Sequence, residues 1–163
     1  AGADSDDVDA FAYHLDAELG VNVADDRVRI AGEGLLASGD DPSTTEDNEA
    51  YDHLFPTAHK WLGFSDIIGA RSNVGSGVLH LVFKASEQVK LTADGHIFLR
   101  PQPTAATGND GYAGAEVDLG GVYAIGGGLK TRLGWAIFLP DEDHYGTTDP
   151  AHFVEAELRY DLK

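Results

Sequence analysis

The chain has 163 residues, with 28 acidic and 11 basic side chains, a formal net charge of −17 and no cysteine. This length fits one domain, and the absence of cysteine excludes disulfides and zinc–cysteine sites. Because proteins bind nucleic acid through cations that neutralise phosphates, the strong negative charge argues against a nucleic-acid partner.

A two-residue period begins near the N-terminus and returns along most of the chain. In residues 9–23 every odd position from Phe11 onward is apolar or aromatic, whereas His14, Asp16 and Glu18 occupy even positions. This alternation is typical of a strand with one apolar and one polar face. The same pattern recurs in six further segments: 28–38, 78–85, 89–100, 115–125, 129–139 and 151–163. The sequence therefore predicts seven strands.

Three short connections set the register of three predicted hairpins. They lie at residues 24–27, 86–88 and 126–128. Each turn length places apolar residues opposite one another, in the pairs Val21 with Ile30, Phe83 with Leu91, and Leu119 with Trp135. Because a slip of one residue would move every side chain to the other face, this agreement supports the assignment of strands.

The connections alternate between these short turns and long, polar segments at 39–77, 101–114 and 140–150. Outer-membrane β-barrels have short periplasmic turns and long extracellular loops. Because their strands alternate apolar and polar residues, a search for long apolar helices does not detect them. We therefore predict an all-β fold, an antiparallel transmembrane β-barrel in a bacterial outer membrane. Residues 1–163 would form a single barrel domain or barrel segment that contacts outer-membrane lipid, with 39–77 as a long extracellular loop. The alternative is a soluble acidic β-sandwich that binds carbohydrate or a protein partner.

Seven strands are an odd number, whereas bacterial barrels made from one chain have even numbers of strands. Either residues 59–69 supply an eighth strand, or further strands or another chain complete the barrel. An eighth strand there would place the turn at 86–88 on the wrong side of the membrane. We therefore expect the chain to be the C-terminal portion of a larger barrel.

Residues 50–69, AYDHLFPTAHKWLGFSDIIG, resemble a segment of the alginate-export porin family. The family pattern contains an aromatic–Asp pair, the sequence LFPT, a histidine, and an aromatic-Gly-aromatic-x-Asp run ahead of the last hairpins. The matching residues are Tyr51, Asp52, Leu54, Phe55, Pro56, Thr57, His59, Gly63, Phe64 and Asp66. A lysine-bearing hairpin, an acidic strand and a final strand follow in the family's order. The resemblance implies a porin-like outer-membrane channel for an anionic polysaccharide.

The polar face of the predicted strands carries the residues that we expect to line the pore. They are Lys84, Lys90, Arg100, Lys130, Arg132, Arg159, Asp94, Glu116 and Asp118. In the predicted register Lys84 lies opposite Lys90, and such cations can lead a polar, anionic saccharide through a water-filled lumen. Alternatively, carboxylates neutralise the cations in a lattice of salt bridges, an interpretation favoured by Asp94 opposite His80.

Two acidic loops offer the oxygen ligands that calcium prefers, but neither has EF-hand spacing, and we expect solvated loops. Their acids are Asp40, Asp41, Glu46, Asp47, Glu49, Asp52, Asp141, Glu142 and Asp143. His53 and His59 likewise lack a metal-binding frame such as HExxH. Asp16 and Glu18 share a face near Glu33, but the pattern indicates no pocket for catalysis. The sequence therefore predicts no metal site, no cofactor and no enzymatic activity.

Overall fold

The computed structural model describes residues 11–44, 48–53, 62–103 and 111–162. These residues form seven strands: β1 (His14–Val23), β2 (Val28–Ala37), β3 (Val74–Lys84), β4 (Val89–Arg100), β5 (Gly111–Gly126), β6 (Leu129–Pro140) and β7 (Ala151–Tyr160). A short helix, α1 (Glu142–Tyr145), joins β6 to β7. All strands pair antiparallel with their neighbours in a single sheet of order β1-β2-β3-β4-β5-β6-β7. The predicted all-β, antiparallel fold with seven strands is confirmed.

The three hairpin registers predicted from turn lengths are also confirmed. Their pairs are Val21 with Ile30, Phe83 with Leu91, and Leu119 with Trp135. Gly127 and Gly128 have φ values of 62° and 90° in the turn between β5 and β6, a conformation that glycine adopts without steric cost. The turn chemistry therefore fixes which face each side chain occupies.

Two strands begin earlier than the alternation predicted. β3 starts at Val74 rather than 78, and β5 starts at Gly111 rather than 115. Both additions are rich in glycine and other small residues, so they show no visible period, yet the sheet extends through them. Backbone pairing with the adjacent strand decides the strand boundary at these places.

The two faces of the sheet differ sharply in exposure. We call one of them the apolar face; its exposed large side chains include Leu15, Leu19, Val21, Ile30, Leu79, Leu81, Phe83, Leu91, Ile97, Leu99, Val117, Leu119, Leu133, Leu139, Val154 and Leu158. Leu19 is 83% exposed and Val154 is 74% exposed. Strand residues on this face include no Asp, Glu, Lys or Arg. A soluble sheet would bury such a face, and in the described part of the chain nothing covers it.

The opposite face, the polar face, is where side chains are buried. Residues 62–68, from the connection between β2 and β3, pack against it beside Tyr51. The buried apolar cluster consists of Leu35, Ala37, Leu62, Ile68, Val74, Phe98, Ala113 and Phe138. The core of the molecule thus lies between the sheet and its own longest connection.

The sheet is open in the described residues, because β1 and β7 form its edges and do not pair with each other. Residues 62–69, which the sequence offered as part of an eighth strand, form turns and bends instead, and residues 59–61 lie outside the described ranges. No helix in the described part of the chain has the length and apolar character needed to cross a membrane.

Candidate functional site on the polar face

Most charged side chains on the polar face fall into two zones along the strands, and Asp16 and Arg100 lie beyond both zones, farther from the short turns. The zone beside the short turns, here the turn-end zone, holds the basic residues Arg29, Lys84, Lys90, Lys130, Arg132 and Arg159 with the acids Glu155 and Glu157. A row consists of the residues that lie opposite one another on successive strands. The next two rows on the polar face form the middle zone, which holds Glu18, Glu33, His80, Asp94, His96, Glu116 and Asp118. Among the described strand residues of these two rows, there is no Lys or Arg. The polar face therefore changes from basic to acidic along its length.

Ion pairs in the turn-end zone concentrate on β6 and β7. The Arg132 guanidinium lies 3.0 Å from a carboxylate oxygen of Glu155. Lys130 and Arg159 donate to the two oxygens of Asp161, at 3.1 and 3.2 Å, and the hydrogen bond from Lys130 holds the pKa of Asp161 below its usual value. Lys130, Arg132 and Arg159 line a cavity of about 210 Å³. This part of the predicted pore lining is a salt-bridge lattice.

Lys84 and Lys90 behave differently from the other cations of the turn-end zone. They lie directly opposite each other on β3 and β4, as the sequence predicted, and both are exposed. Neither has an ion pair within the ranges that the structure describes. Like charges in this arrangement repel each other. The pair is therefore an uncompensated positive patch.

Two carboxylates of the middle zone, Glu116 and Asp118, are buried to 1% exposure beneath the connection between β2 and β3. The backbone N–H of Phe64 donates to Oδ2 of Asp118 at 3.1 Å, and that of Ser65 donates to Oε1 of Glu116 at 2.9 Å. The hydroxyl of Ser65 donates to the other oxygen of Glu116. These two carboxylates, which the sequence places among the predicted pore-lining residues, hold a loop by its backbone.

The same loop is held at its far end by Arg100. Its guanidinium donates to the carbonyl oxygens of Ile68, Ser72 and Asn73, at 3.0, 3.3 and 3.1 Å. We call residues 62–73 the inner segment, since they lie against the polar face between these two anchors. Arg100 was also predicted to line the pore, but its donors are used by the chain's own backbone. No sequence signal indicates these contacts, because the partners lie 27 or more positions apart.

The other half of the middle zone is a network across four strands. His80 Nδ1 lies 2.8 Å from Oδ1 of Asp94, and His80 Nε2 lies 3.0 Å from Oε2 of Glu33. Glu33 in turn lies opposite Glu18, which forms an ion pair with Arg29. The register predicted the His80–Asp94 and Glu18–Glu33 pairs separately. It did not show that His80 bridges Asp94 and Glu33.

A second histidine lies beside the buried carboxylates. His96 Nε2 is 3.3 Å from Oδ2 of Asp118, and the His96 side chain is 5% exposed. No motif in the sequence distinguishes His96 from the other histidines. Its place on the polar face follows from the alternation of β4, but alternation does not show that the side chain is buried.

The acidic loops satisfy their own carboxylates. Asp41 accepts from the backbone N–H of Ser43 at 2.8 Å, and hydrogen bonding by Ser43 lowers the pKa of Asp41. Asp141 accepts from the N–H of Asp143 at 3.1 Å and caps α1. Neither loop brings three metal-ligand atoms together in its described residues. Glu46, Asp47, His59 and the LFPT sequence lie outside those residues.

A comparison with protein families finds one match that covers most of the sequence. The family model described as alginate export matches residues 5–151, which include six complete strands, the inner segment and the whole middle zone. Among curated proteins, none is significantly similar to the chain.

Proposed function

The chain belongs to the alginate export family, a family of outer-membrane transport proteins, and we propose that its sheet is part of the wall of a porin-like β-barrel. The barrel passes a polar solute of the anionic polysaccharide class. One observation carries this proposal: the exposed face of the sheet is apolar and uncharged, whereas the charged face is turned towards the chain's own loop.

This distribution fits lipid on one side and water on the other. A charged side chain on the lipid face of a barrel costs roughly 2–4 kcal/mol at the midplane, and strand residues of the apolar face carry none. The rival β-sandwich needs a second sheet to cover Leu19, Leu79 and Val154, and the described residues form a single sheet. Lipid is therefore the partner that best accounts for the apolar face.

Orientation follows from the lengths of the connections. We place the short turns in the periplasm and the long connections, including residues 39–77, outside the cell. The turn-end zone then lies at the periplasmic mouth of the pore. Lys84 and Lys90, which have no ion-pair partner among the described residues, would attract an anionic chain that enters from the periplasm. This charge pattern supports export of a polyanion rather than of a cation.

The inner segment gives the channel a constriction. It occupies the polar face between its anchors on Arg100 and on the Glu116–Asp118 pair, so the solute has to pass beside it. The mechanism is passive: charge at the mouth selects the solute, and the segment limits its cross-section. No step of this mechanism requires catalysis or a cofactor.

Closure of the barrel needs strands beyond the seven. An open edge in lipid would leave backbone N–H and C=O groups unpaired, at a cost of several kcal/mol for each group. Because an odd number of antiparallel strands separates them, β1 and β7 run in the same direction and cannot pair antiparallel with each other. We infer that an odd number of further strands, from another part of the protein or another chain, lies between these edges.

Fluorescence quenching tests the placement of the apolar face. The chain has two tryptophans, and in a Trp61→Phe variant the remaining Trp135 lies on the apolar face opposite Leu119. We expect lipids brominated in their acyl chains to quench Trp135 in reconstituted vesicles, and aqueous iodide to have little effect. A matched variant keeps Trp61→Phe and adds Trp135→Phe and Val122→Trp, which moves the single tryptophan to the polar face. There, iodide should quench the fluorescence and the brominated lipids should have little effect. Quenching of Trp135 by iodide alone, or a protein that needs no detergent for extraction, would contradict the proposal.

A further inference from the structure

Apart from transport, we propose that Glu18, Glu33 and His80 form a binding site for a divalent transition-metal ion of the Zn²⁺ class. One ligand atom from each residue can be chosen so that all three lie within 4.8 Å of one another. The three residues come from β1, β2 and β3, so the register of the sheet brings them together. The sequence predicted no metal site because no local spacing links these positions.

The surroundings of His80 favour a cation, because both ring nitrogens face carboxylate oxygens. A neutral imidazole has a single N–H, and donation from Nδ1 to Asp94 leaves the Nε2 lone pair directed at a carboxylate oxygen of Glu33. Nε2 of His80 and Oε2 of Glu33 lie 3.0 Å apart, and their lone pairs repel each other unless both atoms bind the same proton or metal ion. Histidine ligands in metal sites commonly donate their other N–H to a carboxylate, the part that Asp94 would take here.

Charge balance favours a divalent ion over a proton. Glu18 and Glu33 lie directly opposite each other, an arrangement that destabilises a sheet when both are ionised. Arg29 compensates Glu18, but within the described residues neither Glu33 nor Asp94 pairs with a Lys or Arg. Three carboxylates against one guanidinium leave two negative charges when His80 is neutral. A divalent ion would balance both of them, whereas protonation of His80 would balance one.

The donor set favours zinc or a similar ion over calcium. Calcium takes six to eight oxygen ligands, whereas zinc commonly binds three protein ligands drawn from His, Asp and Glu and keeps water at the fourth position. With metal–ligand bonds of about 2.0–2.1 Å, tetrahedral ligands lie about 3.3 Å apart. The Nε2–Oε2 separation of 3.0 Å is already close to that spacing. Small side-chain rotations, including release of Glu18 from Arg29, would complete the set.

Metal binding would tie the edge strand β1 to β2 and β3. Any ion that binds the folded sheet and not the unfolded chain raises the temperature of unfolding with its concentration. The site can be tested without a transport assay, so its failure would leave the proposed channel intact.

The direct test is a titration of the full chain in detergent micelles with Zn²⁺, in competition with a chromophoric chelator. We expect one Zn²⁺ per chain and a higher unfolding temperature. His80→Gln and Glu33→Gln should each abolish stoichiometric binding. His152→Gln, which alters a histidine on the apolar face, should bind as the wild type does. Equal binding by His80→Gln and His152→Gln, or no stoichiometric binding by the wild type, would overturn the site.

Two measurements remain informative if the ligand variants fail to fold. In the wild type, Co²⁺ should give the visible absorption of a four-coordinate nitrogen–oxygen site, and Zn²⁺ should displace it. Asp94→Asn keeps the three ligands but removes the carboxylate that orients His80, so affinity should fall by roughly 10- to 100-fold with stoichiometry unchanged. Absence of the Co²⁺ signal, or unaltered affinity in Asp94→Asn, would overturn the site as proposed.

Discussion

The turn-end zone and the middle zone lie on one face of one sheet, yet their charged residues serve different purposes. In the turn-end zone Lys84 and Lys90 are exposed and unpaired within the described residues. In the middle zone Glu116 and Asp118 are buried and accept hydrogen bonds from the inner segment. Alternation decides which face a side chain occupies, but what covers that face decides whether its charge meets the solute or the protein.

The largest contrast between the zones should appear when a charge is reversed in each. Glu116→Lys would bury an unpaired cation beneath Ser65, and we expect it to destabilise the fold by about 3–5 kcal/mol. Lys90→Glu, at an exposed position, should change the free energy of unfolding by roughly 0.5 kcal/mol or less. Urea unfolding of both variants in lipid vesicles measures the difference. Equal costs would mean that the inner segment does not rest on Glu116.

A second contrast separates the turn-end zone from the apolar face behind it. Leu119→Arg should cost about 2–4 kcal/mol if the residue lies near the midplane of the bilayer. Val122→Arg, close by on β5 but on the polar face, should cost far less because its side chain reaches water. Asp118 is a poor control for this test, since its own burial makes substitution costly. Similar unfolding energies for the two arginine variants would contradict the assignment of faces.

The sequence predicts the features that depend on residues close together in the chain, and it misses the features that depend on residues far apart. The strands and hairpin registers follow from local alternation and turn length, as in the pairing of Val21 with Ile30. The inner segment does not, because Phe64 and Ser65 meet Asp118 and Glu116 across 54 and 51 positions. The His80–Glu33 contact spans 47 positions and requires the β2–β3 register, which no short turn sets. Alternation thus places the predicted pore-lining residues on the polar face, but it does not show what lies on that face.

A third contrast lies within the inner segment itself. Gly63 and Gly69 both have positive φ, at 84° and 77°, so an alanine at either position carries similar backbone strain, about 1–2 kcal/mol. A Cβ at Gly63 would collide with the carboxylate of Glu116, whereas a Cβ at Gly69 meets nothing within 4 Å. Gly63→Ala should therefore destabilise the fold more and raise single-channel conductance by loosening the segment. Conductance equal in the two variants would show that the segment does not narrow the pore.

The smallest expected effect concerns ion selectivity, and it tests whether the exposed lysines of the turn-end zone face the solute. Changing Lys84, Lys90 and Lys130 to Glu should shift a reconstituted channel towards cations, by roughly threefold in permeability ratio, or about 0.6 kcal/mol.

Most of that shift should come from Lys84 and Lys90. Lys130 lies 3.1 Å from a carboxylate oxygen of Asp161, so its field at the lumen is weaker than that of an unpaired lysine, although Arg159 shares the same carboxylate. We therefore expect the double variant Lys84→Glu, Lys90→Glu to reproduce nearly the whole change, and Lys130→Glu alone to produce little. Reversal potentials in a salt gradient measure both, at low ionic strength where screening is weakest. An unchanged potential in the double variant would place these lysines outside the permeation path, and a dominant effect of Lys130 would show that its ion pair opens in the working channel.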